Sequence, residues 1–243
     1  MKKYILLTWF LVVLLPITAH AQKSIPILVY HSIDEFTGSG SRELYVTPQQ
    51  FEKQIIYLRD HGFTLLTFEK WAERNRVDKP IFITFDDGYK NNLNAYAIFQ
   101  TLKNDQFTPT GTIFVISDYI GGSKRLSQSY LRMLANSELF SIQSHTATHP
   151  DLTATQDIEK ELKGSKEAIQ EITNRTVIAI SYPYGNVNKK IVEEVKKYYQ
   201  FGLTTTPGPF NESGVKDEQF YLPRTYIKYS TSLNEFAQIV EGN

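Results

Sequence analysis

The sequence predicts an α/β fold, a (β/α) barrel of about seven units in a single domain. Apolar segments typical of strands alternate along the chain with amphipathic segments typical of helices. The strand segments are nearly continuous apolar runs, as in parallel sheets covered by helices on their faces. The sequence contains no internal repeat, low-complexity tract or Pro/Gly-rich linker, and 200 to about 250 residues is an ordinary length for one such barrel.

The predicted elements follow one another from the first strand, "IPILVYHSI". A helix comes next, with Thr47 as N-cap, Pro48 at the first helical position and Gln50 closing a capping box. It ends at His61, which is explained as a helix cap or C-terminal cation without a chemical role. The later segments are strand FTLLTF, helix EKWAERN, strand PIFITFDDG, helix Asn92 to Leu102, strand GTIFVIS, a helix near Gln128 to Ala135, strand FSIQSH, a helix beginning near Thr155, strand VIAISYPYG, helix Lys189 to Tyr198, strands FGLTTT and FYLPRTYI, and a helix near Leu233 to Val240.

Residues 1–21 are predicted to form a cleaved secretory signal peptide. They contain two lysines, an apolar run and the small-x-small ending Ala19-His20-Ala21. The apolar run is shorter than the roughly 20 residues of a spanning helix, and retention as an anchor is the alternative. Residues 22–243 are then the folded domain, without a later membrane span. Its expected location is the periplasm, the cell surface or the medium.

Charge and cysteine content narrow the classes of function. Removal of residues 1–21 takes away Lys2 and Lys3, which leaves 24 basic against 26 acidic residues. A nearly neutral domain lacks the basic surplus of nucleic-acid or anionic-membrane binders, so nucleic acid is not an expected partner. The absence of cysteine excludes disulfides, thiolate nucleophiles and cysteine-zinc sites.

Polar clusters follow the predicted strands at "TFDDG", "SHTATHP" and "SYPYG". The carboxyl ends of parallel barrel strands meet at one rim, so the clusters are expected to form one site. Asp86 and Asp87 could form an ordinary Asp-Gly turn, but adjacent carboxylates at a buried strand end favour a nearby cation. His145 and His149 could be solvated without a ligand role. One aspartate with two histidines leaves positions open on a divalent metal, as in catalytic sites.

Two further candidates adjoin these clusters. His31 follows the strand segment "ILVY" and is either a site residue or a hydrogen-bonded strand terminus. The segment "SYPYG" is either a simple turn or a turn that aims a backbone N–H at a developing oxyanion.

The motifs "TFDDG", His-Thr-x-x-His-Pro and "YPYG", in this order, resemble the polysaccharide deacetylase family, also called the NodB-homology family. The resemblance spans most of residues 22–243, which are therefore identified as a deacetylase catalytic domain. The segments "VYHSI" and "YVTPQQFEKQIIYLRDHGF" are similar to the branch that contains poly-β-1,6-N-acetylglucosamine N-deacetylases of biofilm systems.

The resemblance implies that the fold is a distorted (β/α) barrel, and it implies a residue role at each motif. Asp87, His145 and His149 would hold a divalent metal, with zinc favoured, and Asp86 would be the general base. The metal and the backbone N–H of Tyr184 would stabilise the oxyanion.

The chain departs from the common family pattern in two places. No histidine follows His149, and the late segment "FYLPRTYI" carries Arg224 near the place where many members have a histidine acid. An arginine cannot serve as general acid at neutral pH. The biofilm branch is similar to this chain in placing a histidine in an early Tyr-His motif, and this resemblance implies that His31 is the acid. Ser181 replaces the arginine that many members carry before Pro-Tyr, and Arg224 is the expected substitute that orients Asp86.

The predicted function is hydrolysis of N-acetyl groups from a polymeric amino sugar, with poly-β-1,6-N-acetylglucosamine favoured. The expected partner is thus an N-acetylglucosamine-containing polysaccharide, and protein partners are left open. Alternatives are deacetylation of peptidoglycan, chitin oligosaccharides or xylan, and a non-catalytic glycan-binding barrel. A zinc peptidase is disfavoured because the sequence has no His-Glu-x-x-His motif. Tyr30, Tyr89 and Tyr119 are candidates either for stacking on sugar rings or for packing.

Overall fold

The structure is a computed structural model that describes residues 23–38 and 40–242. The predicted signal peptide, residues 1–21, lies outside the described residues. None of the helices in the described ranges is long and apolar enough to cross a membrane.

The main sheet contains eight parallel strands in the order β10-β9-β8-β7-β6-β2-β12, with β5 beside the first half of β6. Two short pairs, β1 with β11 and β3 with β4, lie outside it. In chain order the strands are β1 (Ser24–Ile25), β2 (Ile27–Tyr30), β3 (Ser32–Ile33), β4 (Tyr45–Val46), β5 (Phe63–Leu66), β6 (Lys79–Phe85), β7 (Gly111–Val115), β8 (Phe140–Ser144), β9 (Ala179–Ser181), β10 (Phe201–Leu203), β11 (Phe210–Asn211) and β12 (Thr225–Tyr226).

The sheet curls into a distorted barrel because one segment contacts both of its edges. Leu222 forms a bridge to Leu203 on β10, and Thr225 pairs with Leu28 on β2. Residues 222–226, the closing segment, therefore join the two ends of the strand order. The predicted single-domain (β/α) barrel is confirmed in this curled form.

Helices cover the outer face of the sheet. They are α1 (Pro48–Asp60), α2 (Asn92–Leu102), α3 (Gln128–Asn136), α4 (Ser165–Thr173), α5 (Lys189–Val195) and α6 (Leu233–Glu241). The predicted capping box of α1 is present, with the Thr47 side chain accepting from the Gln50 backbone N–H and the Gln50 side chain accepting from that of Thr47. The helix ends as predicted, where His61 Nδ1 lies 2.8 Å from the carbonyl oxygen of Tyr57.

Two helical segments differ from the prediction. The segment EKWAERN lies in a 3₁₀ helix, Phe68–Asn75, with a kink at Lys70. Residues three apart eclipse one another in a 3₁₀ helix, which places the Phe68 and Trp71 rings together over the barrel interior. The helix predicted near Thr155 begins at residue 158 and passes through a π-helix, Lys160–Gly164, directly before α4.

Strand residues alternate between two buried clusters, as the two-residue period of a strand requires. On β6, Ile81, Ile83 and Phe85 belong to the cluster under the helices, whereas Phe82 belongs to the cluster inside the barrel. Thr84 occupies the next inward position and is buried. By the same alternation, the next inward position after Thr84 is Asp86. Thr84 and Asp86 therefore form a polar layer where the apolar interior of the barrel ends.

Candidate active site

The predicted site residues lie together at the carboxyl ends of the strands. Asp86 and Asp87 follow β6, His145 follows β8, and His31 follows β2. Tyr184 lies in the turn after β9. The expectation that separate polar clusters share one rim therefore agrees with the structure.

Asp87, His145 and His149 form a cluster with the geometry of a metal site. The Nε2 atoms of the two histidines are 3.2 Å apart, and Asp87 Oδ1 lies 3.6 Å and 3.8 Å from them. Ligand atoms held at about 2.1 Å from one zinc ion can be at most about 4.2 Å apart. All three separations fall within that limit, so this donor set fits a divalent ion.

The hydrogen bond on the far side of His145 fixes its tautomer. Its Nδ1 lies 2.8 Å from the backbone carbonyl oxygen of Ser181, which can only accept. Nδ1 therefore carries the proton, and the lone pair of Nε2 faces the cluster, as a metal ligand requires. Burial lowers the pKa of His145 despite the opposing charges of Asp86 and Asp87, which keeps the ring neutral.

The backbone is strained at this site. The φ angles of Asp87, Thr146, His149 and Tyr184 are 72°, 67°, 64° and 61°. In the described ranges, these are four of the seven non-glycine residues in the left-handed region. Such conformations are unfavourable for residues with a Cβ and concentrate at functional sites. Pro150 accords with the non-helical conformation of His149.

Asp86 is buried and held by a guanidinium group. Arg224 Nη1 and Nη2 donate to its two carboxylate oxygens at 2.8 Å and 2.7 Å, and Ser181 Oγ donates at 3.0 Å. Burial would raise the pKa of Asp86, but the charge of Arg224 and its hydrogen bonds hold that pKa well below its usual range. Asp86 is thus ionised and fixed in orientation.

Arg224 is itself fully buried and uses its remaining donors inside the barrel. Its Nε donates to the carbonyl oxygen of Thr204 at 2.9 Å, and its Nη1 donates to Thr84 Oγ1 at 3.1 Å. These hydrogen bonds fix the orientation of the Arg224 side chain, and its two hydrogen bonds to Asp86 fix the orientation of that carboxylate in turn.

His31 stands at the side of the cluster nearest β12. Its ring stacks on that of Tyr226 with centroids 5.5 Å apart, and Asn92 Nδ2 donates to its carbonyl oxygen at 2.7 Å. Burial lowers the pKa of His31, although the charges of Asp86 and Asp87 act in the opposite direction.

The tyrosines occupy different positions. Tyr30 is fully buried against Phe51 and Phe85, so of the two alternatives for this residue the structure supports packing and not stacking on a sugar. Tyr184 is 64% exposed, and its ring centroid lies 4.8 Å from that of His149, at the rim of the site. The rings of Tyr89 and Tyr119 both contact the guanidinium of Arg125, which in turn donates to the carbonyl oxygen of Asp87.

Two adjoining cavities, of about 460 and 450 Å³, lie beside the site and share residues including Ser32, Tyr45 and Tyr89. A larger cavity of about 640 Å³ lies between α5 and residues 209–223. The larger cavity contains none of the predicted site residues. The smaller pair includes Ser32 and Tyr89, which are close in the chain to His31 and Asp87, but its lining contains neither the Asp86 nor the Asp87 side chain.

Sequence reasoning missed several residues that support the site. Thr84 accepts a hydrogen bond from Arg224, and Asn92 donates one to the backbone of His31. Glu161 and Ser165 both contact the loop that precedes His149. The inward position of Thr84 follows from the alternation of β6, so a register argument could have found it. Glu161 gave no signal, because an acid in the charged segment "IEKELKGSKEAI" resembles a solvated helix face.

Comparisons with known proteins agree on one family. The sequence profile of polysaccharide deacetylases matches residues 73–202. The chain is 30% identical over 228 residues to YxkH of Bacillus subtilis (strain 168), whose name places it among polysaccharide deacetylases, and the match covers 90% of this chain and 76% of YxkH. The crystal structure of BC0361, a polysaccharide deacetylase from Bacillus cereus, is similar with a TM-score of 0.89 and 47% identity, over 90% of this chain and 69% of that chain.

A further relative has a named substrate. The chain is 29% identical over 189 residues to a poly-β-1,6-N-acetyl-D-glucosamine N-deacetylase of Staphylococcus epidermidis, and the match covers 68% of this chain and 64% of the relative. The family profile spans the motifs "TFDDG", "SHTATHP" and "SYPYG" but neither His31 nor Arg224.

Proposed function

Because the chain belongs to the polysaccharide deacetylase family, we propose that it is a metal-dependent hydrolase that removes N-acetyl groups from a polymeric amino sugar. The observation that carries the proposal is the cluster of Asp87, His145 and His149, with the ionised carboxylate of Asp86 beside it. Asp86 Oδ2 lies 3.9 Å from His145 Nε2, which places this carboxylate directly beside the proposed ligand set.

Asp87, His145 and His149 would hold the metal, which we propose to be zinc. The mixed nitrogen and oxygen donor set suits zinc and leaves open positions for substrate. A divalent ion bound there supplies Lewis acidity, which acidifies water and polarises an acetamide carbonyl.

The protein's own groups would move the protons. The Asp86 carboxylate takes a proton from the attacking water, while Arg224 keeps that carboxylate ionised and oriented. The backbone N–H of Tyr184 donates to the acetyl oxygen, on which negative charge develops as water attacks the acetyl carbon. His31 gives a proton to the amine as the carbon-nitrogen bond breaks, which leaves a free amino sugar and acetate.

The His31 assignment predicts a selective kinetic defect. The His31→Gln variant is expected to lower kcat by about 100-fold or more, since a general acid contributes 10² to about 10⁴. Its zinc affinity, measured by competition with a chromophoric chelator, is expected to stay near the parent value, because His31 is outside the ligand set. His61→Gln, at the exposed end of α1, is the matched control.

The pH profile provides a second test of His31. Because burial lowers its pKa from the ordinary value of 6.5, the protonated form is lost as pH rises through a value below 6.5. The parent rate is expected to fall with this loss of the acid, and the variant is expected to lack this limb. A variant with parental kcat and the same profile would exclude His31 as the acid.

We propose poly-β-1,6-N-acetylglucosamine as the substrate, supported by the Staphylococcus epidermidis relative. The test is acetate release from defined β-1,6-linked N-acetylglucosamine oligomers, compared with peptidoglycan, chitin oligosaccharides and acetylated xylan. Faster release from the β-1,6 oligomers is expected. Preference for another polymer would contradict the proposed substrate. Tight binding of a polymer without acetate release from any of the four substrates would contradict the proposed enzymatic activity.

We also propose that residues 1–21 direct export and that residues 22–243 are the catalytic domain acting outside the cytoplasm. The charged, apolar and small-x-small pattern of residues 1–21 supports this. N-terminal sequencing of the exported protein tests it, with Gln22 as the expected first residue.

A further inference from the structure

Glu161 is a buried acid with no part in the proposed chemistry. Its side chain belongs to the π-helix Lys160–Gly164, and the residue is 4% exposed. One carboxylate oxygen accepts from the backbone N–H groups of Ala147 and Thr148, both at 2.9 Å. The other accepts from Thr148 Oγ1 at 2.7 Å. All three hydrogen bonds come from the loop between His145 and His149.

That loop has a conformation that needs support. Thr146 and His149 both have positive φ, and left-handed backbone at residues with a Cβ persists only where surrounding contacts impose it. Ser165, four residues after Glu161, donates from Oγ to the carbonyl oxygen of Thr146 at 3.0 Å. The two side chains therefore contact the loop at Thr146, Ala147 and Thr148, which are all the residues between the two histidines.

The helix that carries these side chains is locally irregular. The backbone N–H of Ser165 bonds the carbonyl oxygen of Lys160, five residues earlier, as in a π-helix. Single π-helical turns are rare and are frequently found at functional sites. Here the irregular turn carries the acid that contacts the loop.

We infer that Glu161 is a positioning residue for the metal site. Its carboxylate holds the loop so that His149 Nε2 lies 3.2 Å from His145 Nε2, a separation that allows both atoms to bind one ion. The inference rests on the metal site proposed above and adds a residue outside the ligand set to it.

The test is the zinc affinity of purified Glu161→Ala, measured by competition with a chromophoric chelator well below the melting temperature. We expect the dissociation constant for Zn²⁺ to rise about 10- to 100-fold, the usual effect of losing a group that orients a ligand. Glu161→Gln is expected to lose less, because its amide oxygen can still accept from the two backbone N–H groups. Glu159→Ala, an exposed acid two residues earlier, is the matched control and is expected to bind like the parent.

A purely structural role would lower the melting temperature of the metal-free protein without changing the zinc affinity of the folded state, and this result would overturn the inference. If Glu161→Ala does not fold, Thr148→Val removes only the hydroxyl donor and should weaken zinc binding by about 3- to 10-fold. Unchanged affinity in that variant would equally overturn it. A parent that binds no zinc would refute the proposed function itself, whereas tight binding by parent and variants alike would refute only the role of Glu161.

Discussion

Replacement of Asp86 by asparagine is expected to reduce acetate release by about 100- to 10,000-fold, the range in which general acid–base groups contribute. An amide cannot take the proton of the attacking water. It still offers Arg224 one acceptor oxygen in place of the two that the carboxylate supplies. Zinc affinity is expected to persist because Asp86 is outside the ligand set.

The measurements are acetate release at saturating substrate and zinc content of the purified variant. Asp105→Asn, at an exposed position after α2, makes the same chemical change away from the site and should leave both quantities unchanged. Undiminished turnover in the zinc-loaded Asp86→Asn variant would refute the assignment of Asp86 as base. Loss of zinc as well as turnover would show that Asp86 belongs among the ligands.

Replacement of Arg224 by methionine is expected to lower the free energy of unfolding by about 3–5 kcal/mol, the usual consequence of leaving one member of a buried ion pair uncompensated. Arg224 is fully buried, and the carboxylate it pairs with is 3% exposed. Arg59→Met is the matched control, since its partner Asp60 is a surface carboxylate at 2.8 Å. Loss of such an exposed pair is expected to cost less than about 1 kcal/mol.

The Arg224 effect should depend on pH with a defined sign. In the parent, the lowered pKa of Asp86 contributes stability that is present above the unfolded value near 3.9 and is lost as pH falls through the folded value. Without Arg224, burial raises the pKa of Asp86, so the variant protonates it at higher pH. The stability deficit, measured by urea unfolding, should therefore be largest near neutral pH and should shrink in acid. A deficit independent of pH would contradict the ion-pair explanation.

The sequence predicted the convergence of the site better than its internal contacts. Strand ends marked by "TFDDG" and "SHTATHP" face one rim because parallel strands end on one side, and that argument needs no distances. His31 lies at the same rim for the same reason, because it follows the parallel strand β2. Local signals predicted the start of α1 equally well. Thr47 and Gln50, close together in the chain, form the capping box there, and Pro48 occupies the first helical position.

Long-range contacts were harder to predict. The two hydrogen bonds from Arg224 to Asp86 join residues that are 138 positions apart. They depend on the path of the closing segment, which the periodicity of the sequence does not encode. The resemblance to a family suggested Arg224 as an orienting residue, but not its contacts with Thr84 and Thr204. The contacts of Glu161 could not be predicted for a different reason. Glu161 lies in the π-helix Lys160–Gly164, and this irregular turn has no recognisable signature in the sequence.

The closing segment has a consequence for the alignment of the proposed base. All proposed metal ligands, and Asp86 itself, precede it in the chain, but the guanidinium that orients Asp86 is supplied by the segment that joins β10 to β2. The orientation of Asp86 therefore depends on contacts made at the opposite end of the chain, at the place where the two edges of the sheet meet. Any change that opens this seam is expected to disturb the proposed base while leaving the three proposed ligands on their own strands.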